Sequence, residues 1–158
     1  MNVRLQKDDF DAAAEAAALV RGRTDIGAVV SFTGICRGTP DADPIAAITL
    51  EHYPGMAEAE ITCHVEAAAS RWPLLGVTVI HRYGRLEPGE NIVLVIAAAA
   101  HRHDAFAAAA FIMDFLKTRA PIWKREERAG GARWIEAKDT DEAAATRWDT
   151  PEQRSAAE

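Results

Sequence analysis

A chain of 158 residues is long enough for one domain with its own core and too short for two. Hydrophobic residues make up 49% of it and charged residues 27%, which excludes a mainly disordered chain. The net charge of −6 argues against general binding of nucleic acid or of an anionic membrane.

The first half of the chain predicts two strands and two helices in addition to a short opening strand in VRLQ. A helix follows in DDFDAAAEAAALVRG, where Asp8 is the candidate N-cap and Gly22 the candidate stop. The stretch IGAVVSFTGICRG predicts a strand, and IAAITLEHY, after a turn rich in Pro and Asp, predicts its partner strand. Helical spacing in MAEAEITCHVEAAASRW places Met56, Ile61 and Val65 on one face.

The second half predicts strands in GVTVIHRYG and NIVLVIAAAA, joined by a turn at Pro88–Gly89. Because NIVLVIAAAA has almost no polar position, we expect it at the centre of a sheet. A helix in DAFAAAAFIMDFLKT, a strand pair in PIWKREE and GARWIEA, and a short helix after Asp139 complete the order. Helices interleaved with hairpins predict an α+β fold, with one domain over residues 1–149 and a disordered tail over 150–158.

The sequence also bears on the cellular compartment and on contact with a membrane. The longest apolar run is interrupted well before membrane-spanning length, and the N-terminus has no apolar signal-peptide core. The two cysteines, Cys36 and Cys63, have no metal-like spacing. We therefore expect a cytoplasmic protein with no membrane partner, no nucleic-acid partner and no metal site.

Positive charge is concentrated in LKTRAPIWKREERAGGARW, although the whole chain is acidic. From Lys117 to Arg133 there are six Lys or Arg and two Glu. Lys117 falls in the last helical turn, where the helix dipole favours a cation, and Pro121 forces the chain to turn before Lys124. We therefore expect both lysines to line one corner. The alternative is a solvated surface on which Glu126 pairs with neighbouring cations.

A second cluster, HRHD at residues 101–104, lies between a predicted buried strand and a helix. The unpaired N–H groups and the dipole of a helix start attract anions, and His101 and Arg102 would add to them. The alternative is simple capping of the helix by His103 or Asp104. The local pattern leaves both interpretations open.

A third candidate, Arg37, ends the strand VVSFTGICR before a loop rich in Gly and Pro. Taken alone, it is typical of a solvated arginine at a strand end. Cys36 beside it alternates to the other face, which predicts a small buried hydrophobic side chain rather than a nucleophile.

The spacing of Arg102 and Lys117 predicts a second copy of the chain. They bracket one helix fifteen residues apart, which separates their backbones by about 22 Å. One small-molecule pocket cannot use both from a single chain. If both serve one site, a partner copy must supply one of them, which predicts a homodimer.

Five segments occur in the order seen in the catalytic subunit of molybdopterin synthase: GAVVSFTGICR, LEHYPGM, VTVIHRYGRLEPGE, AHRHDAF and FIMDFLKTRAPIWKRE. The chain resembles this family from about Asp25 to Trp148, and LEHYPGM and LKTRAPIWKRE are the most specific segments. The resemblance implies an α/β hammerhead-like domain with an additional antiparallel β subdomain. It also implies an enzyme without a tightly bound cofactor.

The reaction that the resemblance implies is sulfur transfer in molybdenum cofactor biosynthesis. A ubiquitin-like small subunit ends in a Gly-Gly thiocarboxylate, and its tail donates sulfur to cyclic pyranopterin monophosphate (precursor Z). Two transfers build the dithiolene of the product, molybdopterin. The family assembles as a homodimer of catalytic subunits with a small subunit at each outer end, which makes a heterotetramer.

Matching the family's motifs position by position implies the site residues. Lys117 and Lys124 match the catalytic lysines. Ile35 stands where some relatives carry a lysine, which implies that it contributes backbone contacts or nothing essential. The implied substrate-binding residues are Ile35, Cys36, Arg37, His101, Arg102, Arg125 and Glu126.

Two functions of other classes compete with this one. The first is a non-catalytic module that binds a ubiquitin-like Gly-Gly tail, and the second is a regulatory domain that binds a phosphorylated ligand through Arg37 and the HRHD segment. The intact lysine pair favours the enzyme.

Overall fold

The computed structural model describes residues 1–40, 42–135 and 139–149. The strands are β1 (Asn2–Gln6), β2 (Ala28–Ile35), β3 (Ala47–His52), β4 (Leu74–Arg82), β5 (Gly84–Leu86), β6 (Asn91–Ala99), β7 (Ile122–Arg128) and β8 (Gly131–Ile135). The helices are α1 (Ala12–Val20), α2 (Met56–Arg71), α3 (Arg102–Thr118) and α4 (Asp139–Thr146).

Within the described residues these strands form two four-stranded sheets. The first sheet has the order β1-β4-β6-β2, in which β1 and β4 run parallel and the other neighbours antiparallel. The second sheet has the order β5-β3-β7-β8 and is antiparallel throughout. Helices pack on the first sheet, and the second sheet is the additional β subdomain. The predicted α+β fold is confirmed.

Strand β6 lies inside the first sheet, as its lack of polar positions predicts. Every residue from Val93 to Ala99 is at most 3% exposed. One face of β6 packs with α2 and α3 through Val95 and Ala97, and the other packs with α1 through Leu94 and Ile96. Because both faces are covered, the strand is apolar along its length rather than alternating.

The predicted pairing of IAAITLEHY with the preceding strand is wrong. Strand β2 pairs with β6, where Phe32 lies opposite Val95, and β3 lies in the second sheet between β5 and β7. The physical reason is that β6, which is apolar on both faces, needs a strand on each side, and β2 occupies one of them. Ile48 and Leu50 of β3 instead form a separate core cluster with Cys36.

Helix α1 begins later than predicted, because Asp11 and not Asp8 is its N-cap. The Asp11 carboxylate accepts a hydrogen bond from the Ala14 N–H at 2.9 Å. The intervening Asp9 accepts a hydrogen bond from the Asn91 side chain at 2.9 Å. This contact across 82 residues holds the segment before the helix in a non-helical conformation, which no local pattern reveals.

The remaining elements agree with the sequence pattern in outline. Helix α2 buries Ile61 and Val65, whereas Met56, predicted for the same face, is 50% exposed. Strands β4 and β6 are antiparallel neighbours, but β5 is inserted in their connection and pairs with β3. Strands β7 and β8 form the predicted hairpin, with Gly131 at a φ of 120° in the turn.

Two further expectations are that the chain has no membrane partner and that its last residues form a disordered tail. Across the described residues, no helix is both long and apolar enough to span a membrane. Residues 150–158, predicted as a disordered tail, lie outside the described residues. The domain boundary at residue 149 therefore stays a prediction.

A histidine is enclosed where α2 packs against α3. The His64 ring stacks on Phe111 and on Phe115, with ring centroids 4.1 Å apart in both cases. Burial lowers the pKa of His64 to about 4, and the nearby charges of Arg71 and Arg119 act in the same direction. Protonation of His64 is therefore linked to unfolding.

The substitution His64→Phe will weaken the acid sensitivity of the fold. The folded pKa of about 4 lies below the ordinary 6.5, so the unfolded chain binds this proton more readily. The stability that neutral His64 contributes is complete above pH 6.5 and falls as the pH drops toward 4. We expect about 1–2 kcal/mol over this window, after allowing for partial exposure.

Urea unfolding at pH 4.5 and at pH 7 measures this effect. The loss of unfolding free energy between the two values should shrink in His64→Phe and persist in Cys63→Ser, its exposed neighbour on α2. An undiminished loss in His64→Phe would contradict the linkage.

Candidate active site

Helix α3 carries candidate cations at both ends. Arg102 is its first residue, and Lys117 lies in its last turn. Between them, Ala108, Ile112 and Phe115 are buried against the first sheet and α2. The structure therefore places Arg102 and Lys117 at opposite ends of one helix, and a single chain does not bring them together.

A tight turn joins α3 to β7. The Arg119 N–H donates to the Phe115 carbonyl at 2.9 Å, and the Ile122 N–H donates to the Ala120 carbonyl at 2.7 Å. Pro121, which has no N–H, lies between these two bonds. The turn leads the chain from α3, which packs on the first sheet, directly into β7 of the second sheet.

The inner face of β7 carries a row of charges. Lys124, Glu126 and Arg128 alternate on one side of the strand. The Glu126 carboxylate forms an ion pair with the Lys124 ammonium at 3.0 Å and another with the Arg128 guanidinium at 3.1 Å. Burial would raise the pKa of Glu126, which is 8% exposed, but the hydrogen bonds from both cations outweigh burial and lower that pKa. Glu126 is therefore an anion that holds Lys124 in place.

The end of β2 approaches Lys124. The Cys36 thiol is 2% exposed, and its pKa is raised by burial, while the charge of Lys124 acts against that rise. Cys36 also donates its N–H to the Glu90 carbonyl at 2.8 Å. Its neighbours Ile35 and Arg37 are exposed on either side of it. Substrate binding by Cys36 stays a prediction, and in the structure its side chain belongs to the second core cluster.

Arg125 faces away from the other candidates. Its neighbours Lys124 and Glu126 are on the inner face of β7, so strand alternation directs Arg125 to the outer face. There its guanidinium lies 5.6 Å from the ring centroid of Trp134, which is 52% exposed. Within one chain, Arg125 therefore does not join Lys124 on the inner face.

The start of α3 forms a second exposed cluster. His101 is the N-cap residue with an extended backbone, and among the described residues its side chain makes no capping hydrogen bond. The predicted capping by His103 or Asp104 is therefore not what defines this helix start. His101, Arg102 and Phe106 line an open depression of about 640 Å³. Its walls are positive and apolar, and it is remote from Lys117 in the same chain.

Sequence reasoning missed two histidines beside Lys117. His81 is 7% exposed at the end of β4, and the charges of Lys117 and His52 both reach it. His52 lies opposite Ile122 in the β3–β7 ladder, two positions before Lys124, which is about 7 Å along the strand. The Coulomb interaction of Lys117 with His81, together with the pairing of β3 and β7, relates the end of α3 to the strand that carries Lys124. In the sequence, the only indication that His81 belongs to the site is that it is a histidine in an otherwise apolar strand.

We call the region where both sheets meet the end of α3 the junction, and define it by six residues that ion pairs, Coulomb interactions or strand register relate to one another: Cys36, His52, His81, Lys117, Lys124 and Glu126. Two basic side chains and one carboxylate leave it positively charged. Within the part of the chain that the structure describes, no group of three or more His, Cys, Asp or Glu side chains could hold a metal ion. The junction is therefore a cationic site suited to an anionic ligand.

The α+β fold and the cationic junction between its two sheets are suited to a protein that binds an anionic ligand. The family model described as MoaE protein matches residues 5–119 of the chain. The chain therefore belongs to the MoaE family. The matched span includes Arg37, His101, Arg102 and Lys117 and ends before Lys124.

Individual relatives agree with this assignment. The molybdopterin synthase catalytic subunit of Mesorhizobium japonicum is 61% identical over 148 residues, which cover 92% of each chain. The solved MoaE protein of Burkholderia ambifaria is 47% identical, with a TM-score of 0.78, and covers 94% of this chain and 98% of its own. The solved molybdopterin synthase of Staphylococcus aureus is 26% identical, with a TM-score of 0.75, and covers 83% of this chain and 94% of its own.

Replacing Glu126 with Gln will destabilise the fold at neutral pH. The pKa of Glu126 is lowered in the folded chain, so its contribution is present above the ordinary value of 4.5 and is lost as the pH falls through the folded pKa. We expect Glu126→Gln to lower the free energy of unfolding by about 1–3 kcal/mol at pH 7.

Denaturant unfolding as a function of pH checks this expectation, with Glu60→Gln, an exposed acid of α2, as the control. The difference in unfolding free energy between wild type and Glu126→Gln should become smaller below pH 4.5. A gap that is absent at pH 7, or that is equally large in Glu60→Gln, would show that the ion pairs do not stabilise β7.

Proposed function

We propose that the chain transfers sulfur from the thiocarboxylated C-terminus of a ubiquitin-like small subunit to cyclic pyranopterin monophosphate. The product is molybdopterin, and the process is molybdenum cofactor biosynthesis. The name of the relatives, molybdopterin synthase catalytic subunit, supports this proposal. The observation that carries it is the placement of Lys117 and Lys124 on two elements that a tight turn brings to one junction.

The junction suits the charges of this reaction. The substrate is an anion through its cyclic phosphate, and the thiocarboxylate is a second anion. Bringing two anions together is unfavourable unless fixed cations compensate their repulsion. Lys124 is already fixed by its 3.0 Å contact with Glu126, so little reorganisation is needed when the substrate arrives.

The two lysines have different parts in this proposal. The thiocarboxylate sulfur forms a bond to a side-chain carbon of the pterin while a carbon–oxygen bond of that carbon breaks, and the oxygen leaves as water or as the opened phosphate. Water then attacks the acyl carbon and cleaves its bond to sulfur, which leaves the sulfur on the pterin and a carboxylate on the small subunit. Negative charge develops on the acyl oxygen during that cleavage. The Lys117 ammonium stabilises this charge, and Lys124 binds the anionic substrate beside it; such stabilisation commonly contributes several kcal/mol. In this proposal the enzyme uses no tightly bound cofactor.

The second exposed cluster completes the site in a homodimer. His101 and Arg102 lie at the opposite end of α3 from Lys117, and a helix start favours a phosphate. We propose that these two residues of one copy bind the phosphate of a substrate whose reacting carbons lie at Lys117 of the other copy. Arg37 is exposed just after the end of β2, and in this proposal its charge also attracts the anionic substrate. With one small subunit at each end, the assembly is a heterotetramer.

We propose that the reaction takes place in the cytoplasm. Both cysteines are free thiols, one buried and one exposed. A thiocarboxylate and free thiols persist in a reducing compartment, which supports this placement.

Replacing Lys117 with Ala will abolish product formation while leaving the fold intact. Lys117 is exposed, so its truncation removes a charge rather than core packing. We expect a loss of at least about a hundredfold in turnover, consistent with removing a main transition-state contact. The assay contains precursor Z and purified thiocarboxylated small subunit, and measures molybdopterin.

Arg119→Ala is the matched control, because Arg119 is an exposed cation two residues further along and pairs with Asp149 at 3.0 Å. It should keep most of the activity. Wild-type turnover in Lys117→Ala would remove Lys117 from catalysis, and equal losses in both variants would indicate a general effect of surface charge.

Mixing two inactive variants tests the shared site. Arg102→Ala damages the phosphate end of α3, and Lys117→Ala damages the reacting end. In a mixed dimer, one of the two sites contains both substitutions and the other contains neither. We therefore expect up to half of the wild-type activity per mixed dimer after chain exchange. No recovery in dimers whose exchange is proven by mass would mean that each site is built from one chain.

A further inference from the structure

The depression at the start of α3 is shared with the segment that follows α4. Arg147 and Trp148, the first two residues after α4, line the same space of about 640 Å³ as His101 and Arg102. Ala107 of α3 also lines it, and its methyl side chain leaves the space open. A volume of this size is in the range of sites that bind small molecules. The candidate anion site therefore extends from α3 to the end of α4.

The lining of the depression is cationic, although the whole chain has a net charge of −6. Arg102 and Arg147 supply two permanent charges, and the imidazole groups of His101 and His103 add polar atoms. Of the lining residues that the structure describes, none is acidic. Two guanidinium groups that face one space repel each other, and an anion between them turns this repulsion into attraction. The depression therefore suits an anionic ligand better than a neutral one.

Arg147 is held in this position by Asp114 of α3. Its Nη2 atom donates to Asp114 Oδ2 at 2.8 Å, and the same oxygen accepts a hydrogen bond from Trp148 Nε1 at 2.6 Å. The guanidinium carbon also lies 4.5 Å from the Trp148 ring centroid. The Asp114 side chain is 17% exposed and the Arg147 side chain is 52% exposed. The carboxylate is therefore mostly covered, while the guanidinium stays accessible to a ligand.

A second ion pair between α3 and the same segment is a matched comparison. Arg119, the C-cap of α3, contacts Asp149 at 3.0 Å, and its side chain is 53% exposed. This pair ties the segment to α3 much as Arg147 and Asp114 do. Arg119, however, lines a separate cavity of about 150 Å³ beside His64, and it is not one of the described residues that line the depression. The two arginines therefore separate a role in holding the segment from a role in binding a ligand.

We propose that Arg147 is a further substrate-binding residue, whose guanidinium donates hydrogen bonds to the phosphate of cyclic pyranopterin monophosphate together with Arg102 of the same copy. A planar guanidinium has five N–H donors, so it binds a carboxylate and a phosphate at once. Because Asp114 already orients it, less side-chain entropy is lost when the phosphate arrives. This inference rests on the proposed function, and it adds a residue beyond the span 5–119 that the family model matches.

Equilibrium binding without turnover tests this contact. The complete enzyme is assembled with a small subunit that ends in an ordinary carboxylate, so no sulfur is transferred, and precursor Z is titrated by calorimetry. Arg147→Met should raise the Kd about tenfold or more, because a charged hydrogen bond is lost. Arg147→Lys, which keeps the charge, should raise it by only about threefold. Arg119→Met should stay within about twofold of wild type.

The salt dependence of the Kd distinguishes a direct contact from a loosened segment. One charge fewer faces the ligand in Arg147→Met, so its Kd should rise less steeply with ionic strength than that of wild type or of Arg119→Met. A Kd of Arg147→Met equal to that of wild type would overturn the proposal. Equal increases in Arg147→Met and Arg119→Met, with unchanged salt dependence, would overturn it as well, because they would indicate only a structural role.

Inorganic phosphate, as a second probe, separates this inference from the proposed function. Wild type should bind phosphate, and Arg147→Met should bind it more weakly, whether or not the enzyme makes molybdopterin. If no molybdopterin is made, the proposed function fails, and the difference in phosphate binding still supports the contact. If wild type makes molybdopterin while Arg147→Met binds precursor Z and phosphate as tightly as wild type, the function stands and the inference fails. If wild type binds neither anion, the inference fails too.

Discussion

The burial of both faces of β6 is the constraint on which the rest of the structure depends. A strand with no polar face must have a strand on each side and a helix layer above and below. That requirement places β2 and β4 beside β6 and lays α3 across it. Once α3 is fixed, its two ends are fixed as well, and so are Arg102 and Lys117. The positions of the charges are therefore a consequence of how the apolar core is covered.

The turn at Pro121 adds the second sheet to this arrangement. Because the helix cannot continue through proline, the chain enters β7 within four residues of the helix end. Strand alternation then sends Lys124 and Glu126 to the inner face and Arg125 to the outer face. Glu126 binds Lys124 and Arg128 at once, so a mostly acidic protein keeps a positive site whose cations are held by a buried carboxylate. Such a site is organised before the substrate binds.

Local pattern predicted the elements better than it predicted their partners. The apolar run of β6, the helical spacing of α2 and α3 and the β7–β8 hairpin follow from residue type alone. The pairing of β2 could not be predicted, because it depends on what β6 requires about 60 residues later. The N-cap at Asp11 depends on the contact between Asp9 and Asn91, which is equally non-local. The order of helices and hairpins predicted the α+β class, and similarity to a known family supplied the additional β subdomain.

The site was predictable in part for the same reason. Lys117 and Lys124 are visible as cations on either side of a proline, and alternation on β7 predicts that Glu126 shares a face with Lys124. His81 was not visible, because one histidine in an apolar strand resembles an ordinary core residue. Its relation to Lys117 exists only after β4 and α3 pack together.

The most direct test of the central claim is a structure of the homodimer with small subunit and precursor Z bound. The account predicts that the substrate phosphate contacts His101 and Arg102 of one copy, while the Lys117 and Lys124 ammonium groups of the other copy lie within hydrogen-bonding distance of the substrate or of the inserted peptide end. A substrate bound on the outer face beside Arg125 and Trp134, with both lysines in bulk solvent, would contradict it.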